Sequence, residues 1–171
     1  MKAKDKIALV TIVFLGLAMV ALGAVNSCAV EQKMEGSLEV IVNGESKGIL
    51  TAEELSAMKA STFKAIIRSS SEGKSEAEFT GVLVLEIVAR VYPAIKDGYK
   101  AMIVKAEDGY QTVLSKEEVE QKDNAYICFL MDGAPIKPKV KKGQGPLRLI
   151  IRKDEFGQRW VKYVDRIEVK K

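Results

Sequence analysis

Two kinds of hydrophobic pattern divide this chain. From Ile7 to Val25 the apolar residues are almost continuous behind Lys2, Lys4 and Lys6, the charged-then-greasy order of a secretory signal or an N-terminal anchor. The run is about long enough to span a bilayer. From Leu38 onward the apolar residues instead come in short alternating or helically spaced groups separated by turn residues. Between the two, Ala29 to Gly36 is polar and aperiodic, as a tether would be. The reading is therefore a signal or anchor over 1–28, a tether over 29–36 and one domain over 37–171.

Within the domain the pattern predicts an ordered series of elements. Leu38 to Val42 reads as a strand running into Asn43-Gly44, a pair that favours the positive backbone angles of a tight hairpin. Thr51-Ala-Glu-Glu54 and Ser115-Lys-Glu-Glu118 both have capping-box spacing, in which the hydroxyl accepts from the backbone three residues on and the Glu reaches back. Each should open a short helix. Thr62 to Arg68 reads as a strand and Ser69 to Glu78 as a Ser- and Glu-rich loop. Val84, Ile87, Val88 and Val91 fall on one helix face, and Pro93 stops that helix. Ala101–Ala106 and Tyr110–Leu114 flank the turn Glu107-Asp108-Gly109. Ala125–Met131 is a further strand, Lys137–Gly145 a basic exposed connection, and Leu147, Leu149 and Ile151 alternate with Arg148, Ile150 and Arg152 as in a strand with one core face. No fixed period repeats. Hairpins interrupted by short helices predict an α+β domain with a mixed, mostly antiparallel sheet.

Charge sharpens this picture. The chain has 27 basic and 23 acidic residues and no histidine. The segment Lys137–Lys171 holds twelve basic and four acidic residues, whereas 29–136 is acidic on balance. Such a basic end suits an anionic ligand, a headgroup or a partner protein. Nucleic acid is not expected, because the leader exports the domain. Without histidine there is no Ser-His-Asp or Cys-His machinery and no His-rich metal site. Gly143-Gln-Gly145 lacks the third glycine and the following helix of a dinucleotide fingerprint.

The two cysteines make no disulfide framework. Val25-Asn26-Ser27-Cys28 has the form of a lipobox with Cys28 as the acylated residue. The alternatives are an uncleaved anchor and plain secretion, and all three place the domain outside the cytoplasm. Cys128, in the apolar run Ala125–Leu130, reads as a buried core residue.

Several segments together resemble the molybdopterin-dependent oxidoreductase domain, the fold of sulfite oxidase. They are Phe79-Thr-Gly-Val82, Asp108-Gly-Tyr110, Met131-Asp-Gly-Ala-Pro135, Gly145-Pro-Leu-Arg-Leu-Ile-Ile-Arg152 and Gly157-Gln-Arg-Trp-Val-Lys-Tyr-Val-Asp-Arg-Ile-Glu-Val169, in that order from about Leu38 to Val169. The resemblance implies a sulfite-oxidase-like fold in which Arg148, Arg159 and Lys162 contact the pterin and its phosphate. Lys141, Lys142 and the N–H groups of Gly143 and Gly145 would add to a phosphate grip, and Tyr110 would lie near the substrate site. It also implies a metal held by a cysteine thiolate, a soft donor suited to molybdenum. At that position this chain has Ser69, and the histidine expected before Gly145-Pro146 is absent. The resemblance thus implies no catalytic residue and no metal ligand: a domain that has lost its cofactor and serves as a binding or accessory module. A working oxidoreductase with molybdopterin and an oxygen ligand, and a structural lipoprotein without a ligand, are the alternatives.

Overall fold

Asn43 and Gly44 take φ of 49° and 87°, and the hairpin they close joins β1 (Ser37–Val42) to β2 (Glu45–Thr51). This is a computed structural model, and it describes residues 35–69, 73–154 and 157–171. Both predicted capping boxes form. Thr51 caps α1 (Ala52–Ser56) and Ser115 caps α3 (Lys116–Glu120), each with the reciprocal Glu bond in place. The apolar face of α2 (Val84–Val91) buries Val84, Ile87 and Val88, and a 3-10 turn, Pro93–Asp97, follows it.

Among the described residues ten strands form two sheets. The first has the order β2-β1-β10-β5-β6, with β5 (Ala101–Ala106), β6 (Gln111–Ser115) and β10 (Val164–Lys170). Only the β1–β10 pairing in it is parallel. The second runs β3-β4-β7-β8, from β3 (Ser61–Ser69) and β4 (Gly73–Leu83) to β7 (Ala125–Met131) and β8 (Ala134–Pro135), and β9 (Arg148–Ile151) also pairs with β7. The fold is α+β with mostly antiparallel sheets, as the pattern predicts.

One apolar cluster takes Val40, Met102, Val104 and Ile167 from the first sheet and Val82, Ile127, Leu149 and Ile151 from the second, so it fills the space between two sheet faces. A second cluster, Phe63, Ala77, Phe79, Tyr126, Cys128, Ile136 and Ile150, lies on the other side of the second sheet. Strand alternation separates the two, since neighbouring residues of one strand point to opposite faces.

Two sequence expectations are corrected. Residues 73–78 are not loop but the first half of β4, paired with β3 in a long hairpin. Their polarity reflects exposure, and Lys64 meets Glu76 across the pair at 3.2 Å. Likewise β9 does not have a single core face, because all four of its residues are buried. The apolar run Ile7–Val25 lies outside the described residues, among which no helix is long and apolar enough to cross a membrane.

Candidate functional site

Arg148 is the feature of the second cluster that hydrophobic packing does not explain. On β9 it stands opposite Cys128 of β7, which stands opposite Gly81 of β4. Leu149 and Ile151 turn into the inter-sheet core, which sends Arg148 and Ile150 to the other face. There the arginine is 3% exposed. Its guanidinium carbon lies 5.5 Å from the Phe79 ring centre and 5.7 Å from that of Trp160, distances at which aromatic faces attract a cation. Nη1 donates to the side-chain oxygen of Gln144, whereas Nε is buried without a partner. No carboxylate among the described residues pairs with it. Burial alone drives the guanidinium pKa down to about 10. A buried cation answered only by one amide and two rings is costly, and a bound anion is the group that would offset that cost.

The loop before β9 is built to hold Gln144 in place. Tyr163, itself at φ 58°, donates its hydroxyl to the Gly143 carbonyl at 3.1 Å. Any side chain at Gly143 would collide with the Lys137 carbonyl, 1.8 Å from where its Cβ would lie. Gly81 is constrained in the same way, since a Cβ there would sit 2.4 Å from the Ile127 carbonyl and 2.8 Å from the Cys128 sulfur.

Arg159 is in the opposite condition. Its Nε donates to Asp154 at 3.1 Å, and its Nη2 donates to both Asp154 and Glu118. Glu118 does two jobs with two oxygens: Oε2 accepts the Ser115 N–H that closes the capping box, and Oε1 accepts from Arg159. The Arg159 hydrogen bond is the main reason the Glu118 carboxyl is held below its ordinary range, and burial opposes it. The same two carboxylates raise the pKa of Arg159.

Lys162 is exposed. Its backbone nevertheless runs beside Arg148, because Leu149 donates to the Val161 carbonyl and Val164 to that of Leu147. Arg148 and Lys162 are thus on neighbouring backbone, while Arg159 is turned away into its own carboxylates. Trp160 joins the two environments. It meets Phe79 edge-on at 6.4 Å, donates Nε1–H to the Ile151 carbonyl, and lines a cleft of about 730 Å³ shared with Lys64, Glu76, Arg152 and Asp154. Tyr110 is 46% exposed and donates its hydroxyl to the Gln158 carbonyl.

Ser69 ends β3 and pairs with Gly73 across the hairpin. Arg148 instead belongs to the row through Cys128, Gly81 and Ser61. Eight residues along an extended strand place Ser69 roughly 26 Å from that row, so the two positions are not brought together. Cys28 lies outside the described residues.

The donors present do not fit a thiolate-held molybdenum. Cys128 is fully buried and its thiol is pushed up by burial, against the thiolate a metal needs. Among the described residues no three His, Cys, Asp or Glu side chains gather to hold a metal. The phosphate end of such a cofactor is a different matter, since the orphaned Nε of Arg148 suits an oxyanion.

The frame is thus a two-sheet α+β domain with a buried arginine on the strand that follows the basic loop 137–145. The comparisons make this specific. Residues 27–171 match the family model for the oxidoreductase molybdopterin binding domain, and the chain belongs to that family. Among solved structures it is similar to the sulfane dehydrogenase SoxCD from Paracoccus pantotrophus, with a TM-score of 0.63 and 18% identity over 83% of this chain. That likeness is one of fold, and the match covers 40% of the SoxCD chain. No curated protein matches.

Sequence reasoning identified Arg148 but missed what surrounds it. The partners of Arg159 are Asp154 and Glu118, the latter 41 residues away. The only local signal for Glu118 was its place in the capping box.

Proposed function

We propose that this protein is a membrane-held, extracytoplasmic member of the family that keeps the molybdopterin-oxidoreductase frame without its metal chemistry and works as a binding or accessory module. The observation that carries this reading is the split between two arginines. Arg159, which the family resemblance assigns to the cofactor phosphate, is taken up by Glu118 and Asp154. Arg148 remains buried with an unused donor. The frame therefore retains one anion grip, at Arg148 with Lys162 beside it, and uses the other arginine as an internal clamp. The ligand is an anion, phosphate-like in chemistry, or an acidic group on a partner protein.

The N-terminus supplies the location. The run Ile7–Val25 followed by Cys28 holds the chain at a membrane by a spanning helix or by lipid, and two acyl chains hold far more firmly than one.

Elemental analysis of protein purified from its native host tests the loss of metal chemistry. The expected result is no stoichiometric molybdenum or tungsten. About one metal per chain, with a pterin released on denaturation, overturns the module and restores the enzyme.

A further inference from the structure

The connection Lys137–Gly145 contains Lys137, Lys139, Lys141 and Lys142 and no acidic residue. All four lysines are exposed, and their display is fixed rather than loose. Lys141 and Gly143 donate their N–H groups to the Pro138 carbonyl and Gly145 donates to that of Lys137, closing the loop on itself. At its tip Val140 is 89% exposed, the most exposed large hydrophobic among the described residues.

A single exposed valine means little by itself. Its surroundings give it meaning. Lys141 meets Glu35, the first described residue, at 2.7 Å, and Gly36 packs so tightly against Pro146 that a Cβ would lie 2.4 Å from the ring. The described chain therefore begins beside this loop. From Cys28 to Glu35 the chain can reach no further than about 25 Å even when fully extended. A lipid on Cys28 would keep the loop within that distance of the bilayer, and a span ending near Val25 would keep it within about 36 Å.

We propose that the loop is a membrane-docking face, with its lysines on the headgroups of an anionic bilayer and Val140 entering the boundary between headgroups and chains. The proposal rests on the tethered reading above. Lysine suits this role because its charge sits on a long apolar stem that can lie in the interface. Charge attraction fades within about 10 Å at ordinary ionic strength, and a tether of at most a few times that length lets the loop visit that range continually. Among the described residues only Lys141 of the four is paired with a carboxylate, so Lys137, Lys139 and Lys142 keep their charge for the surface. Docking would also set the Gln144 end of the same loop, and with it the Arg148 site, at the membrane edge of the domain.

Amide hydrogen exchange of the full chain in lipid nanodiscs tests this. In discs containing anionic lipid, exchange across 137–145 should slow by roughly tenfold relative to zwitterionic discs, within what a few surface lysines contribute at an anionic leaflet. The variant K137Q/K139Q/K142Q, which leaves the Lys141–Glu35 pair intact, should lose the difference, as should V140D in part, while β10 amides stay unchanged as the control for folding. Equal exchange in both lipids overturns the docking face, and slow exchange that persists in zwitterionic discs assigns the loop to a protein contact and also overturns it. A chain that elutes apart from zwitterionic discs contradicts the tether instead, and the loop is then judged from its binding to anionic discs alone.

Discussion

Arg148 and Arg159 are eleven residues apart, and both are positions that the family resemblance assigns to the cofactor. Their surroundings could hardly differ more. Arg148 is sealed between Phe79 and Trp160 with Gln144 as its one polar partner among the described residues, whereas Arg159 is partly exposed and held by two carboxylates. The first is a buried charge awaiting its opposite. The second has been neutralised from within. The lesson is that matching residue types do not carry a function unless their charges remain available, and here one of the two has been absorbed into the fold.

The comparison can be broken most severely at the aromatic wall. Phe79→Ala should cost about 3–5 kcal/mol, the usual range for emptying a buried phenylalanine site, with the midpoint of denaturant unfolding as the measure. It should also let solvent reach Arg148 and expose the Cys128 thiol to titration. Arg148→Met should do the reverse in anion-free buffer and raise stability by about 1–2 kcal/mol, because it replaces an uncompensated buried charge with an apolar chain. A loss of stability there would mean the arginine is already satisfied. Arg159→Gln should lower stability by only about 1 kcal/mol, since the side chain is 40% exposed and solvent screens the network.

The smallest effect is in the pH dependence. Glu118 is held below its ordinary pKa of 4.5 when folded, mainly by Arg159. Its contribution is therefore fully present above that value and fades as the pH falls through the folded one. Wild type should lose stability more steeply on acidification below about pH 4.5 than Glu118→Gln does, as read by acid unfolding followed by circular dichroism. Parallel curves would remove Glu118 from the account.

How much of this was legible in the sequence depended on distance along the chain. The two capping boxes and the Asn43-Gly44 turn are local signals, and all three form. The first half of β4 was hidden because Lys74, Ser75, Glu76 and Glu78 are exposed and only the small Ala77 turns inward, which leaves too little apolar alternation to mark a strand. Arg148 read as the solvent side of a strand, and only the tertiary packing of Phe79 and Trp160 over it makes that side an interior. The pairing of Arg159 with Glu118 joins β6–α3 chemistry to a loop 41 residues later, which no local pattern encodes. Gln144 is only four residues from Arg148, yet its role follows from the fold of the loop held by Tyr163.

The most direct test of the account compares thermal unfolding of wild type, Arg148→Met and Arg159→Gln in phosphate and in chloride at equal ionic strength. An anion that binds only the folded state stabilises it with the logarithm of its concentration, whereas phosphate excluded from the surface would stabilise all three proteins alike. The account predicts an extra phosphate shift in wild type and in Arg159→Gln and none in Arg148→Met. The same shift in Arg148→Met as in wild type would contradict it.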